Sequence, residues 1–243
     1  MSETKIEVSL SWSGGKDSAL ALWYLLQNAD YQVVGLHTVF GEETRRVGMH
    51  GIHEDLIVKQ SHEIGLPLDK IYLPASGDNQ AYEKAMTAYL DRLAGQNIRH
   101  LAYGDIFLED LKKYREEKLA QKGMRGIFPL WGKDTGRLSS EFLGLGFTTV
   151  ICAADADKIP QENLGAIYGR NFLGSLPADV DPCGENGEFH TFCCEGPIFK
   201  NPIAVVSKEP VRRAYTFKDS LGQEQAKYFW FSEIELAEEG SKQ

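Results

Sequence analysis

The chain of 243 residues is poor in cysteine, in long apolar runs and in positive charge. Its four cysteines are Cys152, Cys183, Cys193 and Cys194, with no Cys-x-x-Cys pair. Adjacent Cys193-Cys194 suits a strained disulfide poorly, so the pattern excludes a disulfide scaffold and reads as reduced thiols in the cytoplasm. Apolar stretches such as Val33–Phe40 and Phe147–Ala154 fall far short of the ~20 residues that span a bilayer. Met1-Ser2-Glu3-Thr4-Lys5 places acid where a secretory signal carries base, so neither membrane nor export is expected. Lys plus Arg is 26 against 35 Asp plus Glu, a net charge of −9. That balance repels a phosphodiester backbone at long range and argues against general nucleic-acid binding, while leaving room for a local basic groove. No internal repeat is present, and 42% hydrophobic with 25% charged residues excludes low-complexity and collagenous chains.

The remaining signals are those of a globular α/β chain of one to two domains, long enough to bury on the order of 70% of its unfolded surface. Strand patterns at Ile6–Ser11, Tyr31–Phe40, Leu68–Leu73 and Ile98–Tyr103 alternate with helical ones. The helical patterns cover Asp17–Gln27, about His53–Ile64, Gln80–Leu93 and Leu108–Gln121, with Asp78 or Asn79 as a cap for the third. This alternation predicts βαβ units and a parallel sheet covered on both faces. Asp17–Gln27 is apolar nearly all round, so burial on more than one side is expected. The polar, glycine-bounded run Gly132–Gly136 marks a domain boundary, giving domains 1–131 and 132–243. Beyond it the sequence predicts a helix at Leu138–Leu145, a strand at Phe147–Ala154 and a long loop at Pro177–Gly187. Strands follow at Ile203–Val206, Val211–Phe217 and Tyr228–Glu235, with a turn at Asp219–Gly222 and a frayed tail from Glu238.

Ser11-Trp12-Ser13-Gly14-Gly15-Lys16-Asp17-Ser18 follows the first strand and opens the buried helix. Two glycines let the backbone turn tightly and approach an anion closely. Free N–H groups and the positive end of the helix dipole favour phosphate there. Lys16 adds a positive charge, and Ser13 and Ser18 add hydroxyls. Asp17 beside phosphate implies a bridging cation, which points to Mg²⁺. The spacing is not that of a Walker loop, and Gly144-Leu145-Gly146 lacks the third glycine of a dinucleotide site. Asp181–Phe192 is a second constellation, in which Glu185 and Glu188 flank Gly187 and precede His190 and Thr191. Acids of this kind bind an ammonium or a metal, or act as bases once burial tunes them.

The Ser-Gly-Gly-Lys-Asp-Ser run resembles the pyrophosphatase loop of the N-type ATP pyrophosphatases. Gly-Glu-Asn-Gly-Glu-Phe-His-Thr at 184–191 resembles the diphthine–ammonia ligase family within that superfamily. Met49-His50-Gly51, Gly104-Asp105-Ile106, Arg115-Glu116 and Pro129-Leu130-Trp131 extend the likeness over about residues 5–218. The resemblance implies an adenine nucleotide α-hydrolase-like doubly wound sheet with a smaller C-terminal α+β domain. It implies an ATP-dependent ligase that adenylates a carboxylate, releases pyrophosphate, and then releases AMP as ammonia attacks. The acceptor would be a small-molecule or protein-borne carboxylate, and a homo-oligomer is left open. Ser11, Ser13, Gly14, Gly15, Lys16, Asp17, Ser18, His37, Thr38, His50, Gly104 and Asp105 would hold the nucleotide, with the backbone at His37-Thr38 reading the base. Lys16, Asp17, Glu185, Glu188 and His190 would carry the chemistry, with 184–191 facing 14–18 across an interdomain cleft. Members that amidate diphthine usually carry an acid in place of His190 and Gly in place of Asn186. The His form resembles the bacterial branch.

Two other readings stand beside this one, a non-catalytic ATP- or AMP-binding sensor and a tRNA-modifying ATP pyrophosphatase. His50, His53 and His62 fit no zincin spacing. The mixed charges of Leu111–Gln121 predict a solvated helix face with i,i+4 pairs, apart from Arg115 and Glu116.

Overall fold

The computed structural model describes residues 4–74, 79–218 and 224–237. The first unit comprises β1 (Ile6–Ser11), α1 (Lys16–Gln27), β2 (Tyr31–Gly41), α2 (Glu54–Ile64) and β3 (Leu68–Leu73), followed by α3 (Asn79–Gly95), β4 (His100–Ala102), α4 (Glu109–Ala120) and β5 (Arg125–Ile127). Its strands form one parallel sheet in the order β3-β2-β1-β4-β5. Right-handed crossovers then place α1 and α2 on one face and α3 and α4 on the other. The cores agree: Leu22, Leu25, Leu56 and Ile57 pack in one cluster, and Tyr89, Leu90, Leu93 and Leu119 in another. The chain reverses direction across the sheet between β1 and β4, where doubly wound sheets bind ligands beyond the strands' carboxyl ends.

The second unit is smaller, an α+β arrangement of α5 (Thr135–Gly144), β6 (Thr148–Asp155), α6 (Arg170–Ser175), β7 (Phe189–Glu195), β8 (Val205–Ser207), β9 (Val211–Lys218), β10 (Glu224–Phe231) and β11 (Ile234–Leu236). It holds an antiparallel sheet of order β7-β6-β10-β9 and a two-stranded pair, β11-β8. The core on the α1 side of the parallel sheet continues into this unit through Val150, Phe189 and Phe192. Residues Ser18 to Leu22 of α1 are therefore all buried, as the all-round apolar pattern requires.

Some elements differ from the sequence pattern. β5 is three residues long, too short to show a period. β7 begins within the acidic motif and runs beyond it to Glu195, where the sequence predicted no strand. The predicted strand Tyr228–Glu235 is two strands, because Ser232 N–H turns to the Cys152 carbonyl at 2.9 Å. Thr135 and Gly136 belong to α5, capped by Asp134, whose carboxylate accepts from Arg137 N–H. Asn79 is the first residue of α3. Asp78, the Asp219–Gly222 turn and the tail from Glu238 lie outside the described residues. Among the described residues no helix is long and apolar enough to cross a membrane.

Candidate active site

The chain leaves β1 at Ser11 and turns through Gly14-Gly15 into α1. Gly14 has φ +83°, and a Cβ there would meet Ile57 Cδ1 at 2.6 Å. Only glycine satisfies both conditions. Two serines knit the turn: Gly15 N–H donates to Ser13 Oγ at 3.3 Å, and Ser18 Oγ–H donates to the Gly15 carbonyl at 2.9 Å. No residue beside the helix start caps α1 with its side chain. The cap comes from β7, where Thr191 Oγ1 accepts from Lys16 N–H at 2.9 Å. Gln60 of α2, fully buried, donates to the carbonyls of Gly14 at 2.9 Å and Cys193 at 2.6 Å. Its own carbonyl accepts from Trp12 Nε1 at 2.9 Å. The phosphate-type loop is thus clamped to the second sheet. Gln60 was not among the residues the sequence singled out, and Thr191 entered only as a member of the acidic segment, with no role of its own. Gln60 sits on the buried stripe of α2 with Leu56 and Ile57, which was a usable signal. The pairing of Thr191 with Lys16 had none.

A cavity of about 250 Å³ opens at this junction. Its walls bring together Ser11, Ser13, Lys16, Asp17 and Ser18, then His50, Gly104 and Asp105, and from the second unit Gly184, Glu185, His190 and Thr191. Gly104 lies so close to α1 that a Cβ would stand 2.9 Å from the Asp17 carbonyl carbon. Tyr103 and Arg115 complete one side. The Arg115 guanidinium covers the Tyr103 ring at 4.1 Å and places Nε 2.7 Å from Asp105 Oδ2. Arg115 therefore turns inward, whereas Glu116 stays on the solvated face beside Lys112 at 3.9 Å. A smaller cavity of about 130 Å³ between α3 and α4 shares Tyr103 and Arg115 but touches none of the glycine loop.

Lys16 is buried, with Nζ 2.8 Å from both Asp17 oxygens, and it also donates to the Cys183 carbonyl. Burial disfavours its charge, but the Asp17 carboxylate outweighs that and raises its pKa. Glu185 Oε1 accepts from Ile106 N–H at 2.7 Å, which ties the second unit to the loop after β4. Burial raises the Glu185 pKa to about 7 against the pull of that N–H, and Asp17 adds to the rise.

Three candidates lie elsewhere. Glu188 is 1% exposed and turned away from the cavity, with Oε1 accepting from Asn186 Nδ2 at 3.0 Å and Asp181 N–H at 3.3 Å, and with Lys158 Nζ 3.7 Å away. His37 and Thr38 are also outside the cavity lining. His37 Nδ1 pairs with Ser9 Oγ at 2.9 Å under α3, and its carbonyl accepts from Trp12 N–H at 2.8 Å. Thr38 Oγ1–H donates to the Trp12 carbonyl at 2.6 Å. Their side-chain hydrogen bonds hold β1 to β2, and of the backbone groups expected to read the base the His37 carbonyl is taken by Trp12 N–H.

Among the described residues no group of three His, Cys, Asp or Glu side chains could hold a metal ion. Asp17, a single carboxylate on the cavity wall, fits a cation that takes most of its ligands from phosphate and water. His53 instead accepts from Asp55 N–H as the cap of α2, and His62 lies beside Glu63 on its surface.

A strand–glycine loop–helix site at the switch point of a doubly wound sheet, closed by a second unit, defines a phosphate-binding α/β protein. Residues 6–126 match the diphthamide synthase N-terminal domain, and residues 134–226 match the diphthamide synthase C-terminal domain. The chain belongs to this diphthamide synthase family. It is similar to the diphthine–ammonia ligase of Schizosaccharomyces pombe, 25% identical over 83% of this chain but spanning 36% of that protein. The Danio rerio diphthine–ammonia ligase is 26% identical over 82% of this chain and 86% of its own length. The U34-tRNA thiolase NcsA of Methanococcus maripaludis is 21% identical over 59% of each chain, with a TM-score of 0.35.

Proposed function

We propose that this chain is an ATP-dependent carbon–nitrogen ligase that adenylates a carboxylate and then forms an amide with ammonia. The observation that carries the reading is the single cavity shared by the Lys16 loop and the 184–191 segment. The names of the diphthine–ammonia ligase relatives support it. In this reading residues 1–131 bind the nucleotide and residues 132–243 bind the acceptor. The Lys16 ammonium, already desolvated, meets the charge that develops on pyrophosphate as the bond between the α- and β-phosphates breaks. One such donor is worth ~10²–10³ in rate. Mg²⁺, held by Asp17 and the phosphates, would neutralise triphosphate charge. Glu185 and His190 face the acceptor, while Glu188 supports the loop that carries Glu185. The four free, buried cysteines suit the reducing cytoplasm.

The test is pyrophosphate release with ATP, Mg²⁺ and ammonium over a panel of carboxylates that includes a diphthine-bearing protein. AMP and pyrophosphate formed in step with an amide are expected. ADP and phosphate as products would overturn the reading, and ATP left intact with every acceptor would favour a nucleotide sensor.

A further inference from the structure

His50, between β2 and α2, and His190, on β7, enter the cavity from different units. Their rings stack with centroids 4.4 Å apart and planes 40° apart. A Cβ built on Gly15 would lie 3.3 Å from His50 Nε2, so this nitrogen stands over the phosphate loop. Among the described residues no hydrogen bond engages either ring, and no ring nitrogen of the pair is sealed from the cavity. An enclosed imidazole that serves structure pairs a ring nitrogen, as His37 Nδ1 does with Ser9 Oγ. Here two imidazoles are kept unpaired and open at the place where the ligase reading puts the nucleophile.

We propose that the His50–His190 pair is the proton acceptor of the site, deprotonating the ammonium that attacks the adenylated carboxylate. The inference rests on the ligase reading above. Ammonium gives one proton to a ring nitrogen of the pair and becomes ammonia. The nitrogen lone pair forms the C–N bond at the acyl carbon. The C–O bond to the phosphate breaks with its electron pair leaving on AMP, and the second proton from nitrogen passes to water.

The charges around the pair suit this role. Lys16 and Asp17 face it from α1, Glu185 from the second unit, and Asp105 and Arg115 from beyond β4. Burial, reinforced by Lys16, lowers the His190 pKa to about 4. Burial, then His190 and Lys16, holds His50 well below its usual range. Both rings are therefore neutral bases beside Lys16. Pyrophosphate that stays beside Lys16 until ammonium attacks brings negative charge to the pair and raises it toward neutral pH, where a base works best. Stacked rings repel a second charge, so the pair holds one proton.

The first test follows the histidine ring nitrogens by ¹⁵N NMR in the wild-type protein, with and without inorganic pyrophosphate. Signals of the pair are assigned with His50→Gln and His190→Gln. Pyrophosphate should move the pair's titration midpoint upward by about 2 pH units, with one proton bound per pair. Saturation with pyrophosphate and no ring protonation would overturn the proposal. Failure to bind pyrophosphate would instead remove the phosphate-loop reading, and this inference with it. The second test compares ammonium with hydroxylamine, which is already neutral at neutral pH, using any acid of the panel that releases pyrophosphate. The ratio of ammonium to hydroxylamine turnover should fall about tenfold or more in His190→Gln. An unchanged ratio would make the pair a positioning device and overturn its role as base.

Discussion

The glycine loop at 11–18 and the acidic segment at 181–191 line one cavity, yet residues adjacent in sequence fare differently in the two. In the first, neighbours act together. Ser13, Gly14, Gly15 and Ser18 close one turn through local hydrogen bonds at a strand–helix junction. In the second, two glutamates three residues apart part company. Glu185 reaches across to Ile106 N–H, while Glu188 is sealed beneath its own loop. A motif whose function lies in its backbone is read correctly as a block. A motif whose function lies in its side chains divides between the faces of the fold.

The comparison is most exposed at Lys16. If the first loop acts as a unit on phosphate, Lys16→Ala should lower pyrophosphate release by ~10²–10³ with the circular dichroism spectrum unchanged. A rate within a few-fold of wild type would leave the loop as a structural turn.

This contrast also explains what the sequence disclosed. Most of the parallel sheet was legible because β1 to β4 and the helices between them carry their own periods, and β3 has the predicted bounds, whereas β5 has only three residues. The loop was legible because Gly14, Lys16 and Ser18 occupy a junction that local chemistry defines. Thr191 and Gln60 were not, because their partners lie 175 and 46 residues away. His37 and Thr38 lie outside the cavity lining for the opposite reason. They sit near the end of a strand that does approach the site, but Ser9 and the Trp12 backbone occupy their polar atoms.

Glu188→Gln sharpens the division within the second motif. Its carboxylate keeps Asp181 N–H, Asn186 and Lys158 in place, so the substitution should cost about 1–3 kcal/mol in urea unfolding. Turnover of the variant that remains folded should drop far less than in Lys16→Ala. A stable protein with abolished turnover would put Glu188 back among the groups that meet substrate.

Thr191 tests the seam between the regions. Its hydroxyl supplies the helix cap that Gly15 cannot, so Thr191→Val should lose about 0.5–2 kcal/mol, with Thr191→Ser retaining most of it. Equal stability of the valine and serine forms would show that the clamp is carried by Gln60 and the Cys193 N–H bond to the Gly14 carbonyl.

A further expected effect is a change of slope with pH at Glu185. Burial raises this carboxyl from 4.5 to about 7; Ile106 N–H opposes the rise, and the Asp17 charge adds to it. The folded protein then holds the proton more tightly than the unfolded chain. The stability this contributes is fully present at low pH, drains away as pH rises from 4.5 through about 7, and is gone above that. Glu185→Gln removes the titrating group while keeping an oxygen for Ile106 N–H. Urea midpoints across this window should therefore fall in the wild type and stay level in the variant, after subtraction of the slope the two share. Parallel curves would mean that water reaches the carboxylate and relieves its burial. A Glu185 that is half protonated at neutral pH also carries less charge toward the nucleotide. That lets an acid stand beside Asp17 and a triphosphate in a cavity this small, where two full negative charges would repel the ligand.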